Sequence, residues 1–266
     1  MKTKLATILS VFSLALLLAL PSSGRIRSYF TSVEKAGMDD ILIEVMGKAE
    51  VRAKAGREAT IDVLVFSFTT KSLADELLRI AATYPALVQV RVMLDITQMS
   101  QGQSHKGPYM YYASIGDYWK ACDIACKDDE CIPTCIDELQ SIGHGVELKG
   151  FKVRYWFYDA WVWSSSKNMP NYHHSKGKLM HHKAVVVNRQ ILASGSYNWS
   201  VTAAKKNYEN FQVFSGTREQ GVVQDFLAEF EAIWNHPENS VTTQEGQARK
   251  SEIWDALYEE NCPECQ

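Results

Sequence analysis

"IDVLVFSFTTKSLADELLRIAATYPALVQVRVMLD", residues 61 to 95, begins and ends with compact apolar runs and has a different pattern between them. The runs 61–68 and 88–95 are rich in the β-branched and aromatic residues that favour strands. The segment between them places four apolar residues on one face of a helix. These are Leu73, Leu77, Ile80 and Ala81. A strand, a helix and a strand in so short a stretch predict a βαβ unit, in which the two strands are parallel.

Four more segments downstream have strand composition. They are 151–158, 183–188, 190–195 and 209–214. The two middle segments predict a hairpin that turns at Asn188 and Arg189, whereas 161–179 is polar enough to predict a long loop. We therefore expect an α/β fold with a mixed central β-sheet flanked by helices.

The segment 217–234, "TREQGVVQDFLAEFEAIW", predicts a helix that packs on the core. Thr217 and Gln220 have the spacing of a capping box at its start. Its apolar face is predicted to consist of Val223, Phe226, Phe230, Ile233 and Trp234.

The N-terminal 24 residues have the pattern of a secretory signal. Lys2 and Lys4 precede an uncharged run of 16 residues, 5–20, and small residues follow it. An uncleaved membrane anchor is the alternative, because the run is long for a signal and short for a membrane span. We expect a secreted or periplasmic protein, with a catalytic domain over 25–240, an insertion at about 96–145, and a C-terminal tail over 241–266.

Six cysteines fit an oxidising compartment. Four of them lie within 122–135, and the other two form a CxxC in the tail. Nested disulfides, Cys122 with Cys135 and Cys126 with Cys131, would staple a short helical hairpin. A four-thiolate zinc site is the alternative, although its ligand pairs usually have a longer connection between them.

The chemistry of the chain is concentrated in 181–200, "HHKAVVVNRQILASGSYNWS". His181 and Lys183 are two residues apart, so a strand would put them on one face and His182 on the other. Histidine can act as a nucleophile or a proton carrier, and lysine supplies positive charge for an anion. Gly195 would let the backbone approach a ligand closely, and Ser196 and Asn198 are two uncharged donors for phosphate oxygens. Without a carboxylate-rich metal site, these groups suggest attack on a phosphodiester with no metal or other cofactor.

The spacing from His181 and Lys183 through Asn188 to Gly195, Ser196 and Asn198 resembles the HKD motif of the phospholipase D superfamily. The stretch that follows is similar to the small secreted bacterial endonucleases of that superfamily, which carry one motif per chain. Glu209 lies where that family has a glutamate that orients the catalytic histidine. The resemblance implies the phospholipase D/nuclease fold.

The resemblance also implies a mechanism. His181 would attack phosphorus to form a phosphohistidine, and His181 of a second subunit would protonate the leaving oxygen. Lys183, Ser196 and Asn198 would bind the phosphate. One motif per chain therefore implies a homodimer with the site on its two-fold axis.

Asn188 is the one departure from the motif, since the family usually has an aspartate there in a supporting position. We expect His182 to be a supporting or surface residue. His173 and His174 are more typical of a solvated loop than of a substrate or metal site.

Charge distribution bears on the substrate. The chain has 28 basic and 31 acidic residues, but residues 145–210 contain ten basic and only three acidic ones. We expect Lys178, Lys205 and Lys206 to bind substrate, and nucleic acid to be that substrate, cleaved with low sequence specificity.

Two alternatives remain open. A phospholipase D that hydrolyses phosphatidyl or cardiolipin-type lipids would suit a membrane-associated N-terminal segment and the aromatic residues of 155–163. A non-catalytic protein that binds nucleic acid or phospholipid would suit a site decayed at Asn188.

Overall fold

The structure is a computed structural model. It describes residues 24–32, 37–100, 112–113, 116–126, 130–141, 149–159, 161–167, 169–172 and 178–262. The strands in these ranges are β1 (Arg25–Phe30), β2 (Ala59–Val65), β3 (Val88–Asp95), β4 (Phe151–Trp156), β5 (Trp161–Ser164), β6 (Met169–Tyr172), β7 (Lys183–Val187), β8 (Ile191–Gly195), β9 (Asn210–Ser215) and β10 (Ser240–Val241). The helices of more than one turn are α1 (Met38–Lys54), α2 (Lys71–Thr83), α3 (Tyr118–Ala125), α4 (Cys131–Ser141), α5 (Val201–Lys206), α6 (Gln220–Trp234) and α7 (Thr243–Asn261).

Eight strands form one mixed sheet in the order β1-β9-β8-β7-β2-β3-β4-β10. β2 and β3 are parallel, and β4 continues the parallel set, so the predicted βαβ unit is confirmed. β2 also pairs antiparallel with β7, which starts a run of antiparallel strands towards β1. The expected α/β fold with a mixed central sheet is confirmed.

Helices cover both faces of the sheet. On one face, α1 and α2 pack on alternate residues of the central strands, such as Ile61 and Val63. On the other face, α6 packs on Leu64 and Val186, whose side chains point the opposite way. β2 is therefore apolar almost throughout because both of its faces are buried.

The β7–β8 hairpin turns as the sequence predicts. Asn188 and Arg189 have φ values of 55° and 56°, which identify the left-handed pair of a type I′ turn. Asparagine tolerates this conformation better than most residues because its short amide can bond to nearby backbone.

The predicted disulfides are confirmed. Cys122 is bonded to Cys135 and Cys126 to Cys131, so α3 and α4 form a stapled hairpin. Cys262 is also disulfide-bonded, and Cys265 lies outside the described residues.

Two segments have more regular structure than the sequence predicted. Residues 161–179 were expected to be a loop, but β5 and β6 form a small separate sheet. Its residues pack on α7: Trp161 lies against Trp254 and Trp163 against Tyr258, with ring centroids 5.5 and 5.3 Å apart. The residues expected to be a tail instead supply β10 and α7, which has a capping box of Thr242 and Glu245.

The capping box expected at Thr217 and Gln220 was wrong. A short 3₁₀ turn over Thr217–Glu219 precedes α6, so Gln220 is its first residue instead of its third. The Gln220 side chain donates to the carbonyl of Arg189 in the β7–β8 turn, 2.9 Å away. The face of α6 was predicted correctly, with Leu227 added to its buried residues.

None of the helices in the described ranges has the length and apolar content needed to cross a bilayer. The N-terminal segment of the sequence lies outside those ranges.

Candidate active site

One edge of the sheet brings together all five residues predicted to be catalytic. β2 and β3 end there, and β7 begins there, with Lys183 opposite Val65. β8 ends and β9 begins at the same edge, with Gly195 opposite Phe211. The carboxyl ends of parallel strands are a common place for the active sites of α/β proteins.

His181 and Lys183 are in direct contact. Nζ of Lys183 is 2.9 Å from Nδ1 of His181 and donates to the His181 carbonyl at 2.7 Å. Both lie against the ring of Phe66, whose centroid is 4.5 Å from the imidazole centroid and 5.1 Å from Nζ. The aromatic ring thus holds a cation and an imidazole side by side.

Their environment lowers the pKa of both groups. Burial lowers the pKa of Lys183 to about 8, although the charges of Glu209 and Asp95 act in the opposite direction. The pKa of His181 is lowered by partial burial first, then by the positive charge of Lys183 and by His182. His181 is therefore neutral, and able to act as a nucleophile, over a wider pH range than an ordinary histidine.

His182 points to the other side, as the alternation of a strand predicts. Its Nε2 lies 3.3 Å from Oε1 of Glu229, and its ring packs edge-on against Phe226. Both partners are on α6. His182 thus connects the start of β7 to the helix behind the sheet.

Gly195 lies close against the neighbouring strand β9. A Cβ at this position would lie 2.2 Å from the Asn210 carbonyl oxygen and 2.5 Å from Cα of Phe211. The backbone of Gly195 thus approaches β9 more closely than any residue with a side chain could. This close approach lets the N–H of Ser196 donate to the Asn210 carbonyl at 2.9 Å, which fixes the turn.

Ser196 and Asn198 occupy the turn that follows. The hydroxyl of Ser196 accepts from the N–H of Asn210 at 3.1 Å and donates to the Asn210 carbonyl at the longer distance of 3.5 Å. Oδ1 of Asn198 is buried without a hydrogen-bond partner in the described part of the chain. Tyr197, between them, is buried, and its hydroxyl donates to Asp39 of α1 at 2.7 Å.

Glu209 lies at the same edge, but its contact differs from the expected one. Its Oε1 accepts from the amide of Asn207 at 2.9 Å, and its backbone N–H donates to the hydroxyl of Thr31 at 3.0 Å. Within the described residues it makes no hydrogen bond to His181, whose Nδ1 lies 2.9 Å from Nζ of Lys183. The charge of Glu209 is nevertheless close enough to raise the pKa of Lys183.

Asn188 is remote from these groups, at the opposite end of β7. Its amide donates to the carbonyl of Lys48 at 3.0 Å, and its backbone N–H donates to the carbonyl of Thr60 at 2.8 Å. A carboxylate could not donate the first of these bonds. The hydrogen bonds of Asn188 therefore stabilise the turn and attach it to α1.

The predicted substrate lysines are exposed. Lys178 lies three residues before His181, and its carbonyl accepts from the indole of Trp156 at 2.8 Å. Lys205 and Lys206 form the last turn of α5, which directly follows the Ser196–Asn198 turn. None of the three forms a salt bridge within the described ranges.

Not all of the local basic charge lies at this edge. Arg189 is in the far turn, and Arg154 lies over Trp234 and donates to the carbonyl of Ser240. The aromatic residues of 155–163 are likewise largely used in packing, since Tyr155, Phe157, Tyr158 and Trp161 are buried.

The described residues include no group of three His, Cys, Asp or Glu side chains that could hold a metal ion. His173 and His174 lie outside them.

Sequence reasoning missed several residues of the site. Phe66 and Thr31 lie far from the motif along the chain, and only sheet pairing brings them near it. Asp95 had one usable signal, since it is the acidic residue that ends a buried parallel strand.

Comparison with known protein families gives a match over most of the chain. The family model described as "Cardiolipin synthase, PLD-like domain" matches residues 52–234, which include β2 to α6 and therefore all five residues predicted to be catalytic.

The curated relatives match over a shorter stretch. Mitochondrial cardiolipin hydrolase of Homo sapiens is 42% identical over 55 residues, which are 21% of this chain and 21% of the human protein. The Danio rerio protein of the same name is 38% identical over 74 residues, 27% of this chain and 31% of its own length. The chain thus aligns with less than a third of each of these two relatives.

Two solved structures are similar at low identity. Nuc from Salmonella typhimurium, titled a phospholipase D family member, has a TM-score of 0.45 and 13% identity over 82% of this chain and 98% of its own. NucT from Helicobacter pylori has a TM-score of 0.44 and 15% identity over 83% of this chain and 99% of its own.

Proposed function

Because the chain belongs to the family of cardiolipin synthase-type, PLD-like domains, we propose that it hydrolyses phosphodiesters through a phosphohistidine on His181. The observation that carries this proposal is the contact of His181 with Lys183, 2.9 Å long, at the edge that also holds Ser196 and Asn198. An accessible imidazole beside a cation and neutral donors suits attack on an anionic phosphorus centre.

In the first step, Nε2 of His181 forms a bond to phosphorus while the bond to the leaving oxygen breaks. Nδ1 must keep its proton if Nε2 is to supply the electron pair, and a charged Lys183 cannot accept that proton. Lys183 therefore turns from Nδ1 to the bound phosphate, and Glu209 takes its place as the acceptor. Lys183, Ser196 and Asn198 then stabilise the charge on the phosphate oxygens.

The leaving oxygen takes its proton from the partner subunit's His181. In the second step, that histidine removes a proton from water, the water oxygen attacks phosphorus, and the phosphorus–nitrogen bond breaks. Each chain has one motif, so the proposal requires a homodimer whose two motifs meet at the two-fold axis.

Nucleic acid is the substrate that we propose first, cleaved with low sequence specificity and without a metal ion. Exposed Lys178, Lys205 and Lys206 are suited to a phosphate backbone. Tyr208, whose side chain is 92% exposed next to Glu209, can stack on an unpaired base.

A phospholipid is the second candidate substrate. It is supported by the family description and by the relatives named cardiolipin hydrolase. Cardiolipin-type lipids are also anionic phosphodiesters, so the same lysines suit them. The disulfides support a secreted or periplasmic location, and the apolar N-terminal segment would allow membrane association if it is retained.

The test is an assay of the purified protein on plasmid DNA, single-stranded RNA and cardiolipin vesicles, with EDTA present throughout. His181→Ala should abolish turnover, and His182→Ala is the matched control, which should keep at least a third of it. Cleavage of lipid alone would select the second candidate. Binding without cleavage of any substrate would refute the hydrolase and favour a binding protein.

A further inference from the structure

The carboxylate of Asp95 is the most deeply buried acidic group at the site edge. Asp95 is 0% exposed and ends β3. Its Oδ2 accepts from the N–H of Met180 at 2.9 Å, and its Oδ1 accepts from the N–H of Thr97 at 3.0 Å. The hydroxyl of Tyr158 lies 3.4 Å from both oxygens. These donors stabilise the ionised carboxylate of Asp95, whereas burial disfavours it and raises the pKa of Asp95.

One of these bonds, from the N–H of Met180, is made by the residue that directly precedes His181. The side chain of Met180 packs with Leu64 and Met93 under α6. From the other side, the N–H of Phe66 donates to the carbonyl of His182 at 2.8 Å. The backbone of His181 is therefore held at the residue before it by Asp95 and at the residue after it by β2.

The charge of Asp95 also acts on Lys183. The titratable groups that influence Lys183 are His181, in contact with Nζ, and the carboxylates of Glu209 and Asp95, both of which raise its pKa. Glu209 is partly exposed, whereas Asp95 is fully buried. Solvent therefore screens the field of Asp95 less.

We propose that Asp95 is a positioning residue of this site: its carboxylate fixes the backbone of His181 through Met180, and its buried negative charge acts on Lys183. The proposal rests on the phosphodiesterase function proposed above. It adds a group that lies outside the HKD-like motif.

A purely structural role would predict a different result. Asp62 is a suitable comparison, because it is also a buried aspartate of the parallel strands and bonds to Arg91 at 2.7 Å. It lies within β2 and is not among the charges that influence Lys183. Replacement of either aspartate should lower stability, but only Asp95 should change the titration of the site.

The experiment measures kcat and KM against pH for the wild type, Asp95→Asn and Asp62→Asn. In Asp95→Asn we expect kcat to fall by about 10- to 100-fold. The alkaline limb of its pH profile should move down by about one pH unit, because Lys183 loses the nearby negative charge of Asp95. Asp62→Asn should keep the alkaline limb of the wild-type pH profile.

Two further measurements keep the test decisive. NMR titration of the Lys183 side chain without substrate should show a lower pKa in Asp95→Asn, because the carboxylate of Asp95 is one of the charges that raise the pKa of this lysine. If Asp95→Asn does not fold, Tyr158→Phe removes one donor to the carboxylate and should move the acid limb to higher pH. Unchanged limbs of the pH profile and an unchanged Lys183 titration would overturn the role of Asp95. A wild type without turnover would refute the proposed function, while the NMR titration would still report on Asp95.

Discussion

Lys183 is the residue whose titration should limit activity at high pH. Burial lowers its pKa to about 8, so above that pH it becomes neutral and no longer attracts the substrate phosphate. We expect kcat/KM to decline with rising pH through this value. Lys183→Arg should retain its charge and extend activity to higher pH, although at a lower maximum, because the planar guanidinium fits the ammonium site poorly. A wild-type profile flat to pH 10 would contradict this assignment.

Asn188 is the residue at which the motif departs from its family, and the structure predicts that the departure affects stability more than catalysis. Asn188→Asp replaces the donor to the Lys48 carbonyl with a second acceptor. We expect the free energy of unfolding to fall by about 1–2 kcal/mol in urea titration. The value of kcat should stay within about twofold, because Asn188 lies at the opposite end of β7 from Lys183. Asn188→Ala, which lacks the added charge, is the control, and a large loss of kcat with unchanged stability would place Asn188 in the reaction.

Gly195 should tolerate no side chain. In Gly195→Ala the new methyl group would collide with the Asn210 carbonyl, which must then move together with β9. We expect a loss of about 1–3 kcal/mol in stability and most of the activity, because Ser196 is anchored to Asn210. Ser194→Ala, one residue earlier, is the matched control and should change neither the stability nor the activity by much. Wild-type activity in Gly195→Ala would show that the turn can relax without cost.

Among the elements, the stapled hairpin of α3 and α4 allows a comparison of its two disulfides. The bond between Cys122 and Cys135 spans 13 residues, and the bond between Cys126 and Cys131 spans 5. A longer loop loses more entropy when it is closed, so replacing the first pair by alanine should cost about 3 kcal/mol and the second about 2 kcal/mol. Thermal unfolding of both variants tests this order. The reverse order would indicate that packing around the cysteines outweighs loop closure.

The elements that sequence predicted well are those whose pattern is local. The parallel β2–β3 pair follows from two apolar runs around an amphipathic helix, and the β7–β8 turn follows from Asn188 between two strands. The β5–β6 sheet was missed because its order depends on contacts with α7, such as that between Trp161 and Trp254. β1 was missed for a similar reason, since it is an exposed strand that owes its place to pairing with β9.

At the scale of the whole molecule, the motif predicted which side chains meet, but not what surrounds them. His181 and Lys183 are close in sequence, so their contact follows from strand geometry. Asp95 lies 85 residues before Met180 and reaches the site only because β3 ends at the edge where β7 begins, with β2 between the two strands. Long-range contacts of this kind decide pKa values and hydrogen-bond partners, which is why the hydrogen bond from Met180 to Asp95 could not be foreseen.

The proposed dimer belongs to the scale of the whole molecule, and subunit mixing tests it most directly. If each site needs His181 from both chains, a heterodimer of wild type and His181→Ala has no complete site. After random exchange of equal amounts, we expect about a quarter of the wild-type activity, because only wild-type homodimers remain active. A site complete within one chain would instead give about half, since each wild-type subunit would work independently. His182→Ala mixed in the same way is the control, because His182 contacts α6 and should not affect the shared centre. A linear dependence on the wild-type fraction would therefore exclude the two-histidine mechanism even if the protein proved dimeric.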